Sequence, residues 1–222
     1  VQDVTLFAKY TLRADEMFLN RMIGGTFEGS NDPDFREKEV LYLINEKPKR
    51  LQTVVQSYSS KSYRYVRYIG PKDSHCNIAE AAFYTPNDTA SLKGKVIGTP
   101  GCFQKDGSHE YTNVFDGDVT TSFDYIEPSG GWSGLDLGTP KQIGRIVYTP
   151  RSYDNYIRSG DDYELFYCAR RNNWKSLGDQ RSKADSLIYI KIPVNALLLL
   201  CNNTRGIQER IFVYTAAEQI WK

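Results

Sequence analysis

The 222 residues carry 28 Lys+Arg against 27 Asp+Glu, a formal net charge of +1, so charge asks for neither a nucleic-acid nor a membrane-surface partner. At 40% apolar residues the chain can bury one large or two small cores, and no run reaches the ~18 apolar residues of a membrane span. Cys76, Cys102, Cys168 and Cys201 are scattered and never form C-x-x-C, which argues against a zinc site and a disulfide-dense scaffold. Cys168 and Cys201 each follow an apolar strand run, and a bond between them is compatible with the sequence. No charged-then-apolar leader opens the chain, so any export signal has been removed or lies upstream.

In chain order, Val4–Tyr10 predicts a strand and Ala14–Met22 one or two helical turns ended by Gly24 and Gly25. Phe27–Asp34 reads as a polar loop. Val40–Ile44 is a compact strand. Tyr63–Ile69 alternates, with Tyr63, Tyr65 and Ile69 on one face and Arg64, Val66 and Tyr68 on the other. Gly70–Ser74 is a turn, and Ala79–Tyr84 returns as a strand. Thr85–Ser91 is small, polar and proline-containing, and makes the best linker. It divides the chain into a β-rich unit over 1–90 and a second unit over 91–222.

Beyond it come Val96–Gly98, an acidic loop from Asn113 to Asp124, and an alternating run from Trp132 to Gly138 in which Trp132 reads as core. Ile143–Tyr148, Tyr163–Tyr167, Trp174–Leu177, Leu187–Ile190, Ala196–Cys201 and Ile211–Tyr214 follow as short strands. Such spacing describes an all-β chain built as an antiparallel sandwich. A repeat is also visible. Tyr10-Thr11-Leu12-Arg13 echoes Tyr148-Thr149-Pro150-Arg151, and the pair Tyr65–Ile69 and Ala79–Tyr84 echoes Leu197–Cys201 and Ile211–Tyr214. Nothing in 1–90 matches Val114–Gly138, so the first unit reads as a partial or degenerate copy, or its front strands lie upstream.

Two readings of the acidic loop stand. Asp116, Asp118 and Thr121 present the several oxygens that a hard cation needs within a short stretch. Alternatively they form an Asp-Gly turn whose carboxylates cap backbone N–H groups. For ligand binding, the stretch 151–162 offers Tyr153 and Tyr156 for stacking, Arg151 and Arg158 for bidentate hydrogen bonds, and Asp154 and Asn155 as acceptors. Tyr125 could line the same end. An ordinary connection with internal Arg–Asp pairs is the competing reading. A weaker second site falls on Arg13, Arg21, Phe27, Glu28, Asn31 and Asp32. His75 and His109 sit in no metal or triad spacing, and Ser74-His75-Cys76 reads as a turn feeding a strand.

Val114-Phe115-Asp116-Gly117-Asp118-x-x-Thr121 followed by Trp132-x-x-Leu135-Asp136-Leu137-Gly138 resembles the discoidin-like, coagulation-factor 5/8 C-type family, which includes family 32 carbohydrate-binding modules. Ile143-x-x-Ile146 and Tyr163–Tyr167 with Trp174 continue the resemblance over roughly 95–216. Tyr65–Tyr68 and Asn77-Ile78-Ala79-Glu80-x-x-Phe83-Tyr84 resemble its closing strands. The resemblance implies a galactose-binding-like jelly roll, no catalysis, glycans bound by loops at one end, and a structural Ca2+ on Asp116, Asp118 and Thr121. It also implies a glutamate before the last strand: Glu209, five residues before Tyr214, where Glu80 stands at the usual four before Tyr84. The expected function is a glycan-binding region of a larger exported bacterial protein, its partners being glycans and neighbouring domains of the same polypeptide. A structural spacer is the alternative, and a glycoside hydrolase a third.

Overall fold

The computed structural model describes residues 1–9, 13–170, 173–208 and 210–222. In chain order the elements are β1 (Gln2–Leu6), α1 (Arg13–Asn20), β2 (Thr26–Ser30), β3 (Lys38–Leu43), β4 (Thr53–Gln56), β5 (Ser62–Ile69), β6 (Ile78–Tyr84) and β7 (Lys95–Gly98). A 3₁₀ turn over Tyr111–Phe115 precedes β8 (Trp132–Gln142), β9 (Arg145–Pro150), β10 (Asp162–Arg170), β11 (Asn173–Arg181) and β12 (Leu187–Ile192). The chain closes with β13 (Leu197–Asn202), β14 (Ile207–Gln208), β15 (Phe212–Thr215) and β16 (Glu218–Trp221). The fold is all-β and antiparallel, as expected. Among the described residues no helix is long and apolar enough to cross a membrane.

The chain forms two compact units that interleave in sequence. The larger comprises Ala14–Pro48 and Gln52–Tyr153; the smaller comprises Val1–Arg13, Lys49–Leu51 and Asp154–Lys222. This differs from the division at 90/91, and the larger unit shows why. Its five-stranded sheet runs β3-β2-β5-β8-β7, so β5 from the first half pairs with β8 from the second through Val66↔Leu135 and Ile69↔Trp132. Its three-stranded sheet runs β4-β9-β6, where β9 joins β4 and β6. The expected linker is a connection between β6 and β7 inside this sandwich. The front strands that 1–90 lacks lie downstream, at 95–150.

Alternation decides which side chains fill the sandwich. Phe27, Val66, Tyr68 and Leu135 come from the five-stranded sheet, and Ala81, Phe83, Ile146 and Tyr148 from the three-stranded one, all within one buried cluster. The face assignment of β5 needs correction. Tyr63 shares the core cluster with Val66 and Tyr68, whereas Tyr65 is only half-buried, and the β5–β8 register shifts between Tyr63 and Tyr65. Trp132 also departs from the core reading. It is half-buried and lies beside Arg67 and Phe35, with the Arg67 guanidinium 5.2 Å from its ring centre. Phe27–Ser30, read as loop, is the strand β2, with β3 on one side and β5 on the other.

In the smaller unit a sheet ordered β11-β10-β13-β15-β16, with β14 beside β13, accompanies the pair β1-β12. Val4, Leu6, Tyr163, Leu165, Leu187, Leu200 and Phe212 form its core. The repeat is not a structural one. β13 pairs directly with β15, whereas β5 and β6 belong to different sheets. Tyr10-Thr11-Leu12 of the repeat lies outside the described residues. Cys201 sits opposite Glu164 on β10, four residues from Cys168, which is ~13 Å of strand and too far for a bond. Cys76, Cys102 and Cys168 form no disulfide among the described residues.

Candidate functional site

One end of the larger unit gathers side chains from four separate stretches. Asp124, 7% exposed, precedes β8, and Arg151 follows β9. Asp124 accepts hydrogen bonds from Arg151 Nη1 and, at 2.8 Å, from Asn77 Nδ2. Asn77, 1% exposed, accepts in turn from Arg21 Nη1 at 2.9 Å. The result is a chain Arg21–Asn77–Asp124–Arg151 with the guanidinium groups at its two ends. Such charge-assisted bonds hold each group in one orientation.

Aromatic rings lie along this chain. The Arg151 guanidinium sits 4.4 Å from the Phe18 ring centre, and Phe18 meets Tyr153 at 5.6 Å. Phe18 is buried, while Tyr153 is 52% exposed. Tyr125 is half-buried; its N–H donates to the His75 carbonyl at 2.7 Å and its own carbonyl meets His75 Nδ1 at 2.9 Å. The exposed Phe103 stands edge-on to His75 at 6.2 Å. Cys76 is buried beside these groups, and burial pushes its thiol up to about 12. The Ser74-His75-Cys76 run therefore presents no thiolate at neutral pH.

The acidic loop is closed by its own hydrogen bonds. Val114 is buried and Phe115 stacks on Phe83, which fixes the start of the loop. Asp116 Oδ1 accepts from the Asp118 N–H at 2.7 Å, and Asp116 Oδ2 from the Thr121 hydroxyl at 2.8 Å. Asp118 Oδ1 accepts from the Thr120 N–H and hydroxyl at 2.9 and 2.6 Å. Gly117, at φ +85, turns the chain where an L side chain would be strained. This is the capping geometry of the second reading.

The Gly117 N–H donates to Glu80 Oε1 at 2.9 Å. Burial, and then a hydrogen bond with the Asp116 carboxyl, pushes Glu80 up to about 8. The glutamate that meets the loop is thus Glu80 on β6, and Glu209 lies outside the described residues. Among the described residues no group of three or more His, Cys, Asp or Glu side chains is placed to hold a metal ion.

The remaining expected ligand residues belong to the smaller unit. Asp154 accepts from Arg158 Nε at 2.5 Å and pairs with the buried Lys9 at 3.3 Å. Asn155 and Tyr156 are each 5% exposed. Their backbone pairs with 8–9, since the Lys9 N–H donates to the Asn155 carbonyl at 2.7 Å and Ala8 bridges Tyr156. The structure therefore brings Arg151 and Tyr153 together around Phe18, and Asp154 with Arg158 around Lys9. No single unit holds the whole set. Sequence reasoning missed Phe18, Asn77 and Asp124 as supports of Arg151; their separation along the chain left no local signal. No family model, curated protein or solved structure matches the chain.

Proposed function

We propose that the chain is a non-catalytic glycan-binding region of the discoidin-like kind, carried by a larger exported protein. The observation that supports it is Tyr153, an exposed ring backed by Phe18 beside a guanidinium that Asp124 holds in place. A fixed aromatic face next to fixed donors suits a pyranose, whose C–H face stacks while its hydroxyls accept. Arg151 and Tyr153 are the binding residues of this reading, and Tyr125, next in sequence to Asp124, is a third candidate. The test is a glycan array followed by calorimetry on the best hit. Tyr153→Ala should weaken binding at least ~10-fold and Tyr153→Phe should keep it. Absence of any glycan binding, or an unchanged affinity in Tyr153→Ala, would leave the spacer reading, which the internal pairing of Asp154 and Arg158 and the burial of Asn155 and Tyr156 favour.

A structural calcium is part of the same reading. The donors at the acidic loop are oxygens alone, and the Glu80 and Asp116 carboxyls are hydrogen-bonding neighbours, a place a hard cation can take. Glu80 and Asp116 would hold it, with Asp118 and Thr121 in the loop around it. A bound cation would neutralise the two carboxylates and brace the loop. Thermal melting with Ca2+ and with chelator tests this, because a ligand bound only by the folded state raises the melting temperature. Identical melting curves would reject the site.

A further inference from the structure

At the far end of the five-stranded sheet from Tyr125, where β2 stops and β3 and β5 start, an open pocket of about 420 Å³ lies over Gly29 and Tyr63. Its position follows from the register. Ser30 faces Lys38 and Tyr65 at this end, while Thr26, Ile69 and Trp132 align at the other, next to the loop that carries Tyr125. We propose that this pocket is a second saccharide site, taking a neutral sugar between Asn31, Asp32, Glu37, Glu39 and Lys61.

The pocket is held in shape before any ligand arrives. Asn31 bridges the β2–β3 loop to β5, donating to the Ser62 carbonyl and accepting from the Arg64 N–H, both at 2.9 Å. Phe35 anchors the same loop by tucking its ring 4.0 Å from the Arg67 guanidinium and 5.7 Å from Trp132. The floor depends on Gly29, where a Cβ would lie 2.6 Å from the Tyr63 ring. The Tyr63 hydroxyl meets Ser59 Oγ at 2.8 Å. That ties the β4–β5 loop to the pocket wall. A rigid wall with a polar lining keeps the ordering cost of binding low.

The lining selects the ligand class. Lys61 pairs with Glu39 at 2.9 Å and Lys38 with Glu28 at 2.9 Å, and in the lining itself three carboxylates, Asp32, Glu37 and Glu39, stand against the two ammonium groups of Lys38 and Lys61. Glu37 is exposed and adds a further carboxylate with no ion-pair partner among the described residues. Phosphate or a uronate would meet net negative charge. A neutral sugar can give its hydroxyl protons to these carboxylates and accept from Lys61. Glu39 stays an acceptor across the neutral range, because hydrogen bonds from Lys61, then Tyr63 and Ser59, hold it down at about 2.

The inference stands on this pocket and not on Tyr153, so either site can fail alone. The test is an amide chemical-shift titration of the full chain with methyl glycosides of galactose, glucose, mannose and N-acetylglucosamine, and with glucuronate and inorganic phosphate. At least one neutral glycoside should saturably shift amides in 29–39 and 58–63. Glu37→Ala and Lys61→Ala, both changes at exposed side chains of the lining that leave the core intact, should each weaken that response at least ~5-fold, while Tyr153→Ala should not touch it. Shifts in these segments from phosphate or glucuronate alone would overturn the proposal. So would silence from every neutral glycoside, or affinities within about twofold of the parent in both pocket variants.

Discussion

Glu80 ordinarily titrates near 4.5, but burial and the Asp116 carboxyl move it to about 8 in the fold. Between those two values the folded chain keeps a proton that the unfolded chain releases. Stability therefore falls as pH rises through that window, by at most about 1.4 kcal/mol per pH unit from this group. In chelator-containing buffer, Glu80→Gln should flatten that slope, as read from urea midpoints across the window; a variant with the parent's slope would show that Glu80 is not the group responsible. Glu28 makes a second residue-scale case. It is 3% exposed and accepts from Arg67 Nη2 and Nε at 2.7 and 2.8 Å and from Lys38 at 2.9 Å. Glu28→Ala would strand the Arg67 cation between Phe35 and Trp132, at a cost of about 3 kcal/mol in chemical denaturation. A loss under ~1 kcal/mol would mean that water compensates Arg67.

The strand β8 knits the larger unit together, and its glycines show how closely. A Cβ on Gly134 would lie 2.2 Å from the Val66 carbonyl oxygen, which is backbone of the paired strand and cannot swing aside. A Cβ on Gly117 meets nothing within 4 Å, so only its positive φ is at stake. Gly134→Ala should abolish soluble folded protein, whereas Gly117→Ala should cost about 1–2 kcal/mol in the same denaturation assay. Comparable losses in the two would mean that the β5–β8 pairing yields more than this geometry allows. Strands such as β6, with Ile78, Ala79, Ala81 and Phe83 buried, were legible because alternation states which face is apolar. β2 was not, because Gly29 and Ser30 read as turn residues. Gly29 is there to admit the Tyr63 ring, a reason that sits 34 residues away. At the acidic loop, the closely spaced Asp116, Asp118 and Thr121 were legible as one cluster. The Arg151–Asp124 pair was not, since no local period links them.

Alternation tells a strand which face to bury and is silent on which strand it joins. That is why the first half looked like an incomplete copy, when its partners β8 and β9 are supplied by later residues. Division at 90/91 cuts β5 from β8 and both β4 and β6 from β9, removing Val66, Tyr68 and Phe83 from Leu135, Ile146 and Tyr148. Fully burying each such side chain contributes roughly 1.5–3 kcal/mol, so six of them outweigh the marginal stability of a domain this size. Fragment 91–222 should accordingly show collapsed amide dispersion over 95–150. Fragment 14–153 keeps both sheets of the larger unit and should retain its dispersion and a cooperative melt. The embedded Lys49–Leu51 is the one stretch it would leave without its own unit. A well-dispersed spectrum from 95–150 within fragment 91–222 would restore the boundary at 90/91 and refute the interleaved arrangement.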